Sequence, residues 1–124
     1  MKTIISSPCA PAAVGPYSQA VKAGGTLYVS GQLPVDASNG AMPEGIEAQT
    51  RQSLANIGHI LAAAGYSFAD VVKTTVLLQD IGDFSAMNAV YAEFFTDDQP
   101  ARVCYQVAAL PKGALVEIDA VAVK

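Results

Sequence analysis

The chain has 124 residues, with seven Lys and Arg against eleven Asp and Glu and a formal net charge of -4. Its basic residues stand singly, so it lacks the clustered cationic footprint that general nucleic-acid binding requires. One compact domain over residues 1–124 suits this size, but a hydrophobic content of 52% exceeds what one small core hides, so burial between subunits is expected.

In chain order, Lys2 to Ser6 reads as a short strand ended by Ser7-Pro8, and Cys9 to Pro16 as an ordered loop. Only three apolar residues precede the Ser-Ser-Pro break, too few for a signal-peptide core, and no run reaches the length of a membrane span. A cytoplasmic protein is expected, with Cys9 and Cys104 as free thiols. Gln19 to Ala23 and Leu27 to Ser30 flank Gly24-Gly25 and predict a hairpin.

Glu44 to Ala64 is the first helix: Ile46, Thr50, Leu54, Ile57, Leu61 and Ala64 recur at three- and four-residue steps, and Gly65 supplies the stop. Asp70 to Leu78 is β-branched and apolar enough for an interior strand. Asp83 is placed to cap a second helix over Phe84 to Phe95, whose apolar stripe is Phe84, Met87, Tyr91, Phe94 and Phe95. Pro100 to Val123 then reads as two strands closing into a hairpin through Pro111-Lys112-Gly113. The order β-ββ-α-β-α-ββ predicts an α+β fold with two helices on one face of a mixed sheet.

Alternation puts Arg102, Cys104 and Gln106 on one face of the first hairpin strand. On the second, Val116, Ile118, Ala120 and Ala122 face one way and Glu117 and Asp119 the other. Arg102, one of two arginines, is either a surface residue at a strand edge or a bidentate anchor for a carboxylate; the face it shares with Cys104 favours the anchor. Glu117 is equally a charge on a wet face or a carboxylate that activates water. Cys104 is a poor nucleophile candidate, because the single histidine, His59, lies on the polar side of the first helix. Asn88 sits at the margin of the apolar stripe, where its amide either bonds nearby backbone, the reading put ahead, or faces a cavity. Tyr17 can be a packing aromatic, and Ser30-Gly31 offers a hydroxyl and an amide at a strand end. With one histidine and no CxxC or HExxH, no metal site is expected.

Several segments, taken together, resemble the RidA group of the Rid (YjgF-like) family of imine deaminases. They are GPYSQA at Gly15 to Ala20, YVSGQLP at Tyr28 to Pro34, QTRQSLANI, DVVKTTVLLQD, DFSAMNAVYAEFF at Asp83 to Phe95, and PARVCYQVAALPKGALVEIDAVAV. The resemblance implies a chorismate-mutase-like fold, a homotrimer with inter-subunit sites, and hydrolysis of 2-imino acids to 2-oxo acids and ammonia, without metal or organic cofactor. It also implies protection of pyridoxal-phosphate enzymes from these imines. By the same resemblance Arg102 binds the substrate carboxylate and Glu117 positions or activates water. Tyr17, Ser30, Gly31, Asn88 and Cys104 take the remaining pocket positions, and Asp119 takes none. The competing reading is a trimeric small-carboxylate-binding or regulatory protein without turnover; a third, RNA cleavage, is disfavoured by the acidic charge.

Overall fold

A computed structural model describes all residues 1–124. Six strands form one sheet: β1 (Lys2–Ile5), β2 (Ala20–Ala23), β3 (Thr26–Gln32), β4 (Val71–Leu78), β5 (Ala101–Gln106) and β6 (Val116–Val123). Two helices, α1 (Ile46–Ala63) and α2 (Phe84–Phe94), complete the fold. The sheet order is β1-β2-β3-β6-β4-β5, antiparallel except for the parallel pair β4 and β5. The α+β reading with two helices and a mixed sheet therefore holds.

The terminal hairpin does not form. β4 lies between β5 and β6, pairing Thr74 with both Arg102 and Ala120, and Leu77 with both Tyr105 and Glu117. The chain leaves β5 at the sheet edge and rejoins it at β6 after a 3-10 turn at Pro111–Gly113, where Lys112 and Gly113 both have positive φ. The first hairpin forms as expected, with Ala20 opposite Val29 and Ala23 opposite Thr26.

Alternation dictates which side of the sheet is dry. Leu27, Val29, Val76, Leu78, Val116, Ile118, Ala120 and Ala122 are buried and pack with Leu54, Ile57, Ile60, Leu61 and Met87 of the helices. Burying a side chain of this size contributes about 1.5–3 kcal/mol, so this layer dominates the favourable side of folding. α1 starts two residues later than expected, after Gly45, and ends as predicted, with Gly65 at φ 80, a left-handed position that glycine adopts without a Cβ clash. Asp83 precedes α2 but makes no side-chain cap bond; Asp80 does the local capping, accepting from Gly82 N at 2.8 Å.

α1 also buries a polar row. Ser53 Oγ donates to Gln32 O at 2.8 Å, and Asn56 Nδ2 donates to Leu33 O and Val35 O at 3.2 and 2.9 Å. Each such bond contributes about 1 kcal/mol net, and all three fasten the end of β3 to the helix. That end carries Ser30 and Gly31.

Candidate active site

Arg102 projects from β5 on the helix side of the sheet. Its register partner Thr74 is fully buried on that side, and Phe84, Asn88 and Tyr91 of α2, spaced four and three apart, face it as one helical stripe. Asn88 Oδ1 accepts from Arg102 Nη1 at 2.7 Å. The guanidinium carbon stands 4.8 Å from the Tyr91 ring centroid and 5.5 Å from that of Phe84. Tyr91 OH and Thr74 Oγ1 share a hydrogen bond of 2.7 Å beneath it. The expectation that Asn88 bonds nearby backbone is thus corrected: its amide oxygen orients a cation. Phe84 and Tyr91, read only as an apolar stripe, are platforms for that cation, each contact worth about 0.5–2 kcal/mol by ring-quadrupole attraction.

The molecule's only salt bridge joins Arg51 to Glu93 at 2.9 Å. Arg102 has no carboxylate partner, although one face of its fork is held by an amide. A pre-oriented guanidinium with free N–H groups is suited to bidentate capture of a carboxylate. Cys104, two residues along the same face, packs against the core, and burial pushes its thiol up while Arg102 draws it partway back.

Glu117 lies on the other side of the sheet. It pairs with Leu77, three residues from Thr74, and an odd offset along an unbroken strand reverses the face. There a broad cleft of about 1160 Å³ is lined by Glu117, Tyr17, Ser30, Gly31, Gln19 and Lys112, among others. The β3–β6 register slips between Val29 and Gln32, so Ser30 and Gly31 form a bulge above Glu117. Gly31 permits a close approach: a methyl group there would meet Oε2 of Glu117, and the carboxylate would have to move. Ser30 is fixed by its hydroxyl donating to Ser18 O at 2.6 Å and its N–H to Gln19 O at 2.9 Å. The Gln19 amide in turn ties down the preceding loop, with Oε1 accepting from Ser7 N at 2.7 Å and Nε2 donating to Pro11 O at 2.8 Å. Tyr17 is half exposed at the rim. Burial first, and the neighbouring Asp119 second, raise the Glu117 carboxyl above the usual carboxylate range.

The sequence-predicted residues thus fall into two groups. Asn88, Arg102 and Cys104 gather on the helix side; Tyr17, Ser30, Gly31 and Glu117 gather on the open side. Arg102 and Glu117 do not meet across a hairpin within one chain. No three or more His, Cys, Asp or Glu side chains converge as metal ligands would, and no helix is long and apolar enough to cross a membrane.

The α+β fold thus sets a clamped arginine on one face of its sheet and a half-buried carboxylate on the other. The family described as Endoribonuclease L-PSP matches residues 8–124, and the chain belongs to that family, also called YjgF/Rid. Among its relatives is the 2-iminobutanoate/2-iminopropanoate deaminase of Capra hircus, 56% identical over 100% of this chain and 91% of the relative. The deaminase of the same name from Salmonella typhimurium is 48% identical over 100% of this chain and 99% of the relative. Among solved structures, E. coli TdcF with bound serine superposes with a TM-score of 0.94 at 44% identity, covering 98% of each chain.

Proposed function

We propose that this chain is a 2-iminobutanoate/2-iminopropanoate deaminase, hydrolysing 2-imino acids to 2-oxo acids and ammonia. The observation that carries the reading is the name shared by relatives that are half or more identical over its whole length. Serine bound to a 44%-identical neighbour supports a small α-carboxylate ligand.

In this reading Arg102, held by Asn88 and its aromatic platforms, binds the substrate carboxylate and so fixes the adjacent C=N carbon. Glu117 takes a proton from water as the oxygen attacks that carbon of the protonated imine, giving a carbinolamine. The proton then passes from Glu117 to the amino nitrogen. As the C–N bond breaks, the carbinolamine hydroxyl gives its own proton back to the carboxylate, so that ammonia leaves and the C=O of the oxo acid forms. Orientation supplies much of the acceleration, because anchor and base act on a substrate that cannot turn. Tyr17, Ser30, Gly31 and Cys104 complete the pocket. No metal, organic cofactor or nucleic acid takes part.

The two groups sit on opposite faces of one sheet, which favours sites completed across subunit boundaries. Arg102, Asn88 and Cys104 of one copy would face Tyr17, Ser30, Gly31 and Glu117 of the next. Exposed Tyr28, Val103, Tyr105 and Val123 on the open face supply the apolar surface for association. We assign the assembly as a homotrimer of chorismate-mutase-like, single-domain subunits in the cytoplasm. Binding without turnover is not favoured, since the relatives are named as deaminases. RNA cleavage, the activity in the family's name, finds no clustered basic residues in a chain of net charge -4.

The decisive experiment generates 2-iminobutanoate in place from threonine with a dehydratase and follows its loss spectroscopically. The expected result is loss faster than uncatalysed hydrolysis; an unchanged rate overturns the assignment.

A further inference from the structure

Asp119 has no part in the site as described, yet its placement is specific. It lies two residues beyond Glu117 on the same face of β6, about 7 Å along the strand. Its Oδ1 accepts from Thr75 N at 3.0 Å, so the carboxylate is pinned to the backbone of β4, not free to swing into solvent. On its other side the β3 ladder skips Ser30 and Gly31, which leaves Asp119 opposite the same bulge that covers Glu117. Both carboxylates are half-buried, and neither has a cation within salt-bridge distance.

We propose that Asp119 is a positioning residue acting through Glu117: a fixed negative charge, tied to Thr75, that keeps the water-handling carboxylate able to hold a proton in turnover. The proposal rests on the deaminase reading. Glu117 must accept a proton from water and release it toward the departing nitrogen. A carboxylate that ionises too readily does the first step weakly, and one whose affinity lies nearer the working pH does both. Burial supplies part of that affinity, and a pinned neighbour of like charge adds to it.

The other charged and titratable groups around Glu117 do not duplicate this role. Tyr17 and Lys112 stand at the cleft rim, on the loop and turn that line it. Tyr105 of β5 is one strand removed, beyond Leu77, and Lys73 of β4 is level with Val121, past Asp119. Arg102 and Cys104 lie on the opposite face of the same subunit. Across the proposed boundary the neighbour's Arg102 draws Glu117 the other way, but the bound substrate carboxylate neutralises it.

The test compares pH profiles of kcat and KM for the assembled wild type, Asp119→Asn and Asp119→Glu on in-place 2-iminobutanoate. The amide in Asp119→Asn still accepts from Thr75 N–H but carries no charge. Its acid limb of kcat should move to lower pH by roughly half to one unit, the interaction of two charges at this spacing in a half-wet site. kcat at neutral pH should fall several-fold with KM within about twofold, because the carboxylate anchor is untouched. Asp119→Glu, which keeps the charge, should restore the wild-type limb. Should Asp119→Asn fail to assemble, Asp119→Ser gives the same readout. An acid limb that stays in place without the charge overturns the proposal, as does a shift that Asp119→Glu fails to reverse. If the wild type itself does not accelerate imine loss, the deaminase reading falls first, so the two failures are distinguishable.

Discussion

The Arg102 side of the sheet and the Glu117 side hold their functional groups by different means. Arg102 leaves a regular strand and is gripped by side chains one helical stripe apart on α2, with Tyr91 and Thr74 locked together below it. Glu117 also leaves a regular strand, but its surroundings are a bulge, a glycine and a loop tied down by Gln19. The first arrangement fixes a cation through rigid secondary structure. The second leaves space above a carboxylate. In the proposed mechanism, binding and proton transfer would impose these opposite demands, and the sheet keeps the two groups apart.

Removing the cation should break the comparison most severely. Arg102→Ala is expected to lower kcat/KM by about a hundred- to a thousandfold, the usual cost of deleting one partner of a hydrogen-bonded charge pair. Its sedimentation should be that of the wild type, because the side chain supports no ion pair within the subunit. Wild-type turnover in this variant would show that the substrate carboxylate is anchored elsewhere.

On the open side the comparable test is Gly31→Ala. The added methyl meets the carboxylate end of Glu117, a side chain that can swing away, so the protein should fold while its base is displaced. A displacement on the order of 1 Å predicts a loss of about ten- to a hundredfold, carried by kcat with KM little changed. A KM effect alone would mean that the bulge binds substrate and does not shape the base.

The order of elements, the period of α1, the glycine stop at Gly65 and the dry face of β6 were all legible in the sequence, because each depends on neighbours a few residues away. The pairing of β5 was not. Strand, Pro-Lys-Gly and strand imitate a hairpin locally, whereas the parallel contact with β4 joins residues far apart in sequence. One signal was available: residues 107–115 separate the two strands, longer than the two- to five-residue loops typical of hairpins. The same error puts Arg102 and Glu117 on the two strands of one hairpin. Alternation tells which residues share a face of one strand, but relating two strands needs their register. Tyr91 and Phe84 could be read only as apolar until a cation was seen to lie over them.

A smaller effect sharpens the rigid half. Tyr91→Phe keeps the ring over Arg102 and removes the hydroxyl that partners buried Thr74. An unpaired buried hydroxyl costs about 1–3 kcal/mol, so Tm should drop by several degrees while activity stays within about threefold. A loss of activity above tenfold at unchanged Tm would place the Tyr91 hydroxyl in the chemistry itself.

The smallest effect is expected at Cys104. Burial raises its thiol above the ordinary range and Arg102 only partly opposes this, so at neutral pH the group is a protonated thiol and a weak nucleophile. Water attack on an imine needs no covalent intermediate, and Cys104→Ser should therefore retain activity to within about threefold. The sign of the electrostatics can be checked on the same residue. Alkylation of Cys104 should accelerate only above the pH at which an ordinary thiol ionises. In Arg102→Ala that onset should move higher still, because the one favourable charge beside the thiolate is gone. An onset that moves lower in Arg102→Ala, or a Cys104→Ser variant without turnover, would show that the thiol is ionised by something other than Arg102 and belongs with the reacting groups.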